Sequence, residues 1–172
     1  MKWNKQFDYP KSVRSLVKGH RHYEIDASSL PSVTTIISQT QDPEKIESLA
    51  KWKAKVGEKE AENIKNVAAL RGTAMHEYLE HYIAGKELLD LTETGVKAKS
   101  MAKTIIEQGL PDLEEIWGSE VTVYYPGLYA GATDLCGIYM GRDSIIDFKQ
   151  SNKPKRAEWI TDYKLQMVAY AM

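Results

Sequence analysis

The chain has 172 residues, 42% of them hydrophobic and 27% charged, the size and balance of one globular domain able to bury its own core. That excludes a disordered tail and a coiled-coil or collagen-like rod, and no apolar run approaches the roughly 18 residues a membrane span needs. Lys and Arg number 23 against 24 Asp and Glu, for a net charge of −1, so any basic surface offered to a polyanion is local; the single cysteine, Cys136, excludes an internal disulfide and a zinc knuckle or iron–sulfur cluster held by this chain alone.

Taken in chain order, residues 1–18 mix charge with aromatics and hold no apolar stretch of a secretory signal. His22–Asp26 reads as a short strand. Ser32 reads as the N-cap of a helix beginning at Val33. Residues 43–84 read as one or two long helices: Pro43 suits a first turn, Ile46, Leu49, Trp52 and Val56 recur at helical spacing, and Gly57 divides the stretch. Residues 94–108 read as a further helix, interrupted by Gly109-Leu110-Pro111. The character changes after Gly118: Glu120–Tyr125, Tyr129–Tyr139 and Ser144–Phe148 are β-branched and aromatic, as strands are, with a hairpin turn at Gly141-Arg142-Asp143. Ile160–Ala171 closes as a helix. The order implies an α/β fold with a partly antiparallel sheet and helices packed on it.

The chemistry concentrates at Ile145-Ile146-Asp147-Phe148-Lys149. Alternate side chains of a strand share a face, so Asp147 and Lys149 point one way and Ile146 and Phe148 the other. Pairing this strand with its hairpin neighbour brings Asp134 of Gly131-Ala132-Thr133-Asp134 beside Asp147. Two crowded carboxylates repel unless a cation neutralises them, and a divalent ion takes oxygen ligands. Glu120, read as opening the preceding strand, offers a third carboxylate, and His76 a nitrogen from a helix. His76-Glu77-Tyr78-Leu79-Glu80-His81 is not the zinc motif it resembles: histidines five apart sit roughly 140° apart around a helix, which excludes a metalloprotease. On the last helix, Tyr163, Gln166 and Tyr170 share a face, with Leu165, Val168 and Ala169 beside them.

Taken together, Gly72-Thr73-Ala74-Met75-His76, Glu120, Gly131-Ala132-Thr133-Asp134, Asp147-Phe148-Lys149 and Gln166-Met167-Val168-Ala169-Tyr170 resemble the PD-(D/E)XK nuclease superfamily in its RecB-type exonuclease branch, and within it the mitochondrial genome maintenance exonucleases and their phage relatives. Pro31–Ile37 and Ser151–Lys155 add to the likeness, which covers about residues 30–172. Thr133 stands where the superfamily pattern has proline. The resemblance implies a restriction-endonuclease-like core, a mixed central sheet flanked by helices behind a helical N-terminal half. It implies one nuclease domain over 1–172, with 1–117 mainly helical and 118–172 carrying the catalytic core. Relatives in that branch usually continue past the position of Met172, so the resemblance implies either a short version or one that a further segment or a partner subunit completes.

The activity implied is a metal-dependent DNA exonuclease acting on single strands or free ends, in recombination, replication or repair within the cytoplasm of a bacterial or phage-infected cell. The alternatives are an endonuclease of the same superfamily and a non-catalytic nucleic-acid-binding module. His76, Asp134, Asp147, the Phe148 carbonyl and Glu120 would hold one or two Mg²⁺ or Mn²⁺ ions. Lys149 would orient water or offset charge. Gln166, Tyr170, Tyr163, Thr133 and Arg71 would support the site or touch DNA. Lys149, Lys153, Lys155 and Arg156 form a run without an acid that suits phosphates; Lys51, Lys53, Lys55 and Lys59, and Lys97, Lys99 and Lys103, read mainly as solvated helix faces. Of the four tryptophans Trp159 is the best stacking platform for a base, the others reading as core.

Overall fold

The computed structural model describes residues 2–152 and 154–172; no helix among them is long and apolar enough to cross a membrane. In chain order the elements are β1 (Lys2–Trp3), β2 (Val13–Val17), β3 (His20–Ile25), β4 (Ser28–Pro31), α1 (Val33–Gln39), α2 (Pro43–Val56), α3 (Glu58–Ile83), α4 (Glu93–Gln108), β5 (Leu113–Tyr125), β6 (Tyr129–Tyr139), β7 (Arg142–Ile146), a 3-10 turn (Ala157–Ile160) and α5 (Thr161–Ala171). They form two compact units. One joins the chain up to Gln39 with Gly109–Met172, and the other is Thr40–Gln108.

The first unit is mixed α/β. Its larger sheet has the order β1-β5-β6-β7. β1 runs parallel to β5 and the other pairs are antiparallel, so the sheet is mixed, with α1 and α5 packed against it. Strand β6 is its spine, with most of its residues buried. Gly131 is there for close approach: a Cβ would run into the Tyr170 ring of α5. β2, β3 and β4 form a smaller antiparallel sheet. Tyr23, Ile25 and Leu30 of that sheet bury against Ala130, with Ala132 packed alongside; each large side chain so buried contributes about 1.5–3 kcal/mol. Ser32 caps α1 through its hydroxyl, which accepts the Thr35 N–H at 3.0 Å.

The second unit is helical. Asp42 caps α2 by accepting the Glu44 N–H at 2.9 Å, with Pro43 in the first turn. Gly57, at φ 88°, separates α2 from α3, a left-handed backbone that glycine adopts without a steric cost. The later half of α3 buries Met75, Tyr78, Leu79 and Ile83, and α4 buries Ala98 and Ala102, small residues that let two helices approach. The Tyr78 hydroxyl accepts from the Asp90 N–H at 3.1 Å and donates to the Asp90 carbonyl at 3.3 Å, pinning the loop before α4.

Residues 1–117, read as mainly helical with a strand at 22–26, carry four strands in the first 31 residues and then four helices. Three expectations change. Glu120 lies inside a strand of 13 residues rather than at its opening. The second hairpin turns at Met140 and Gly141, with Arg142 and Asp143 already in β7, and β7 ends at Ile146, before Phe148. Two tryptophans read as core, Trp3 and Trp52, are exposed: α2 buries no residue, and its Ile46, Leu49 and Trp52 stripe faces outward.

Candidate functional site

Strand register builds the site. Ser119 pairs with Leu135 and Val121 with Thr133, which sets Glu120 opposite Asp134. Leu135 pairs with Ile146, which sets Asp134 opposite Asp147, the residue just after β7. Three carboxylates thus stand in one row across three neighbouring strands, about 4.8 Å apart from strand to strand. A carboxylate oxygen of Glu120 and one of Asp134 lie within 4.8 Å of each other. Asp134 is only 8% exposed and Glu120 is exposed. Glu120 has φ 53°, a conformation that costs a non-glycine residue on the order of 1–3 kcal/mol.

Both aspartates are fixed by neighbours. The Phe148 N–H donates to Asp134 Oδ2, tying the segment after β7 back to β6. Lys149 Nζ is ion-paired with Asp147 Oδ2. Its ammonium lies 5.7 Å from the centroid of the Tyr163 ring, within cation–π range. Gln166 Nε2 donates to Asp147 Oδ1 at 3.1 Å and to the Tyr170 hydroxyl at 3.1 Å. Gln166 and Tyr170 are both buried. Burial is the main cause pushing the Tyr170 phenol up to about 12; the Gln166 bond pulls it down, and the negative side chains nearby, Asp147 and Asp134 among them, push it up. Tyr170 is therefore a neutral hydroxyl at any ordinary pH. Thr133 is fully buried, its hydroxyl donating to the Ile146 carbonyl at 3.0 Å; it strengthens the β6–β7 pairing from beneath the row.

The site residues thus fall into groups. Glu120, Thr133, Asp134, Asp147, Phe148, Lys149, Tyr163, Gln166 and Tyr170 all belong to the first unit, on β5, β6, the tail of β7 and α5. Arg71 and His76 belong to the second unit, both half-buried on α3, with Met75 fully buried between them. Lys155 and Arg156 are exposed, and the Arg156 guanidinium lies 5.2 Å from the centroid of Trp159. Lys153 lies outside the described residues. In the other basic clusters Lys51, Lys97 and Lys103 pair with Glu47, Glu93 and Glu107 one helical turn away. On α5 the polar face is the buried one, while Leu165 and Val168 are exposed.

One basic element was not anticipated. Residues 11–22, most of β2, β3 and their turn, hold Lys11, Arg14, Lys18, His20, Arg21 and His22 and no acid. The signal is a plain charge run, hidden because β2 and the first residues of β3 carry no strand pattern of their own, only His22–Asp26 reading as strand.

A mixed α/β unit with a row of carboxylates, one ammonium and a buried amide–phenol pair is a centre suited to hydrolysis around a cation. Three carboxylates against one ammonium leave two negative charges, the charge of one divalent ion. The neighbouring acidic donors Glu120 and Asp134 are compatible with such a metal.

No protein-family model matches the chain. Over 154 residues, 85% of its length, the chain is 32% identical to mitochondrial genome maintenance exonuclease 1 of Mus musculus. It is 29% identical over 147 residues, 82% of its length, to the protein of the same name from Homo sapiens, and 28% identical over 174 aligned residues to that of Xenopus tropicalis. The chain spans 44%, 42% and 47% of the three proteins, less than half of each. These likenesses support a relation to exonucleases.

Proposed function

We propose that the chain, acting through residues 1–172 as one nuclease of the PD-(D/E)XK type, hydrolyses phosphodiester bonds of DNA from a free end, with single strands preferred, in recombination, replication or repair of a bacterial or phage genome. The observation that carries the reading is the row Glu120–Asp134–Asp147 with Lys149 paired to Asp147. A module that only bound a polyanion would gain nothing from acids at its centre. The exonuclease relatives support DNA as substrate.

In this reading Asp134 and Asp147 hold the cation, with Glu120, the Phe148 carbonyl and the His76 imidazole as further donors. Bound Mg²⁺ or Mn²⁺ would supply a Lewis acid to the scissile phosphate and acidify a water molecule. The protein's own part is orientation and charge. The Phe148 N–H holds Asp134 through one oxygen, and Gln166 holds Asp147 in the same way. Lys149 keeps a positive charge beside the row, where negative charge grows on the phosphate oxygens during attack. Lys153, Lys155, Arg156 and Arg71 steady the backbone of the strand without reading its sequence.

The test is cleavage of 5′- and 3′-labelled linear strands and of a labelled circular single strand. Asp147→Ala and Lys149→Ala are expected to lower cleavage by about 10²–10³-fold or more while DNA binding persists. EDTA should stop the reaction and added Mg²⁺ or Mn²⁺ restore it. The circle should resist. A circle that is cut identifies an endonuclease, and unchanged cleavage by either variant refutes the site.

A further inference from the structure

Beside the acid row lies a pocket of about 610 Å³, lined among others by Tyr9, Ser12, Arg14, Tyr23, Glu120 and Thr122. All its lining residues belong to the first unit. We propose that it receives one nucleotide unit of a single strand, the one next to the bond being cut, and that the β2–β3 hairpin holds the strand beyond it. The proposal deepens the nuclease reading and rests on it.

Four observations carry it. The volume lies within the roughly 300–1,000 Å³ of small-molecule sites. Glu120 belongs both to the pocket wall and to the acid row, so a ligand reaching from one to the other must be continuous, as a polynucleotide strand is. The wall has the three chemistries a nucleotide needs. Tyr9, half-buried, supplies ring surface. Ser12 Oγ and Thr122 Oγ1, 2.6 Å apart, supply hydroxyls that can each take a second partner. Arg14 supplies an exposed guanidinium, 5.8 Å from the Tyr23 ring centroid, a group whose planar fork fits a phosphate.

The fourth observation is the hairpin. Arg14 pairs with Tyr23 and Leu16 with Arg21, so Arg14 and Arg21 occupy the same face, on adjacent strands. Lys11, Lys18 and His20 are exposed on the same element, and no acid lies between Lys11 and His22. An anion smaller than a strand would meet Glu120 without compensation. A strand places its scissile phosphate at the acids and its next phosphate at Arg14.

The test uses the Asp147→Ala chain, which should bind without cutting, and a ten-nucleotide thymidine strand. Adding Arg14→Ala should weaken binding about tenfold and reduce the slope of log affinity against log salt by about 0.7, the loss of one phosphate contact on a single strand. Arg21→Ala should reduce the slope similarly. In the otherwise unaltered chain Arg14→Ala should raise KM for the same strand about tenfold with a much smaller effect on kcat; loss of folding would instead lower kcat and the melting temperature together. Unchanged affinity, slope and KM overturn the proposal. Should the unaltered chain fail to cut any DNA with Mg²⁺ present, the nuclease reading falls, and the binding comparison still decides the pocket: a slope that depends on Arg14 retains it as a nucleotide site, and one that does not removes it.

Discussion

Gln166 joins the helix to the chemistry, and its replacement by leucine tests whether Asp147 is held or merely present. Gln166→Leu keeps the volume and removes both bonds of Nε2, to Asp147 Oδ1 and to the Tyr170 hydroxyl. A hydrogen bond to a charged group is worth about 1.5–3 kcal/mol and one between neutral groups about 0.5–1.5. Both acceptors lie in nearly buried side chains, so water replaces the lost donor poorly. The expected loss is about 2–4 kcal/mol, or roughly 4–16 °C in melting temperature for a chain of this size. Activity should change in a particular way. Removing the partner of a metal-holding carboxylate costs about 10–100-fold in metal affinity or activity, so the Mg²⁺ concentration for half-maximal cleavage should rise by about that factor. Gln166→Glu gives a second view. Its carboxylate repels Asp147 at pH 8 and can donate to it only when protonated, so the deficit should shrink towards pH 5. A Gln166→Leu chain that melts with the unaltered protein and cuts with the same Mg²⁺ dependence would refute the claim that α5 positions Asp147.

Glu120→Gly should relieve the left-handed backbone at φ 53° and raise stability by about 1 kcal/mol, read by urea unfolding, while lowering cleavage at limiting Mg²⁺; a loss of stability would mean that the conformation is not strained. Alkaline pH should destabilise the chain. Burial pushes the phenols of Tyr9 and Tyr170 up to about 12 from 10, so each contributes stability that is whole below pH 10 and is lost as pH rises through 12. Melting temperatures should therefore fall between pH 10 and 12, and Tyr170→Phe should flatten that fall.

Where sequence was legible, local chemistry was enough. Pro43, Gly57 and the helical spacing of apolar residues gave α2 and α3 nearly to the residue, and Ser32 gave the start of α1. Tyr129–Tyr139 matched β6 end to end. What escaped depended on partners distant in sequence. β1 is two residues long and exists through parallel pairing with Glu115 and Ile116, which nothing in Lys2-Trp3 announces. The start of β5 was lost because Leu113–Ser119 carries two glutamates and a glycine, a composition that reads as loop until its cross-strand partners are known. The exposed tryptophans escaped for the opposite reason: composition assigns a large ring to the core, and only packing reveals which ring finds no cover.

The acid row itself shows the two kinds of information meeting. Asp134 opposite Asp147 follows from one tight hairpin, and the turn alone fixes that register. Glu120 opposite Asp134 does not follow from any turn. At the far end of the strand pair Leu113 faces Tyr139, a register that, if continued, would set Gly118 against Asp134. Two irregularities, between Leu113 and Glu115 and between Ile116 and Gly118, each advance β5 by one residue. A single advance would turn every following side chain to the opposite face. Two restore the face and carry Glu120 into line with the aspartates. The third carboxylate is thus placed by bulges, features with almost no local signature, and the left-handed backbone of Glu120 coincides with the position they deliver. In the proposed nuclease reading, the doubled correction is what brings the third acid into the row.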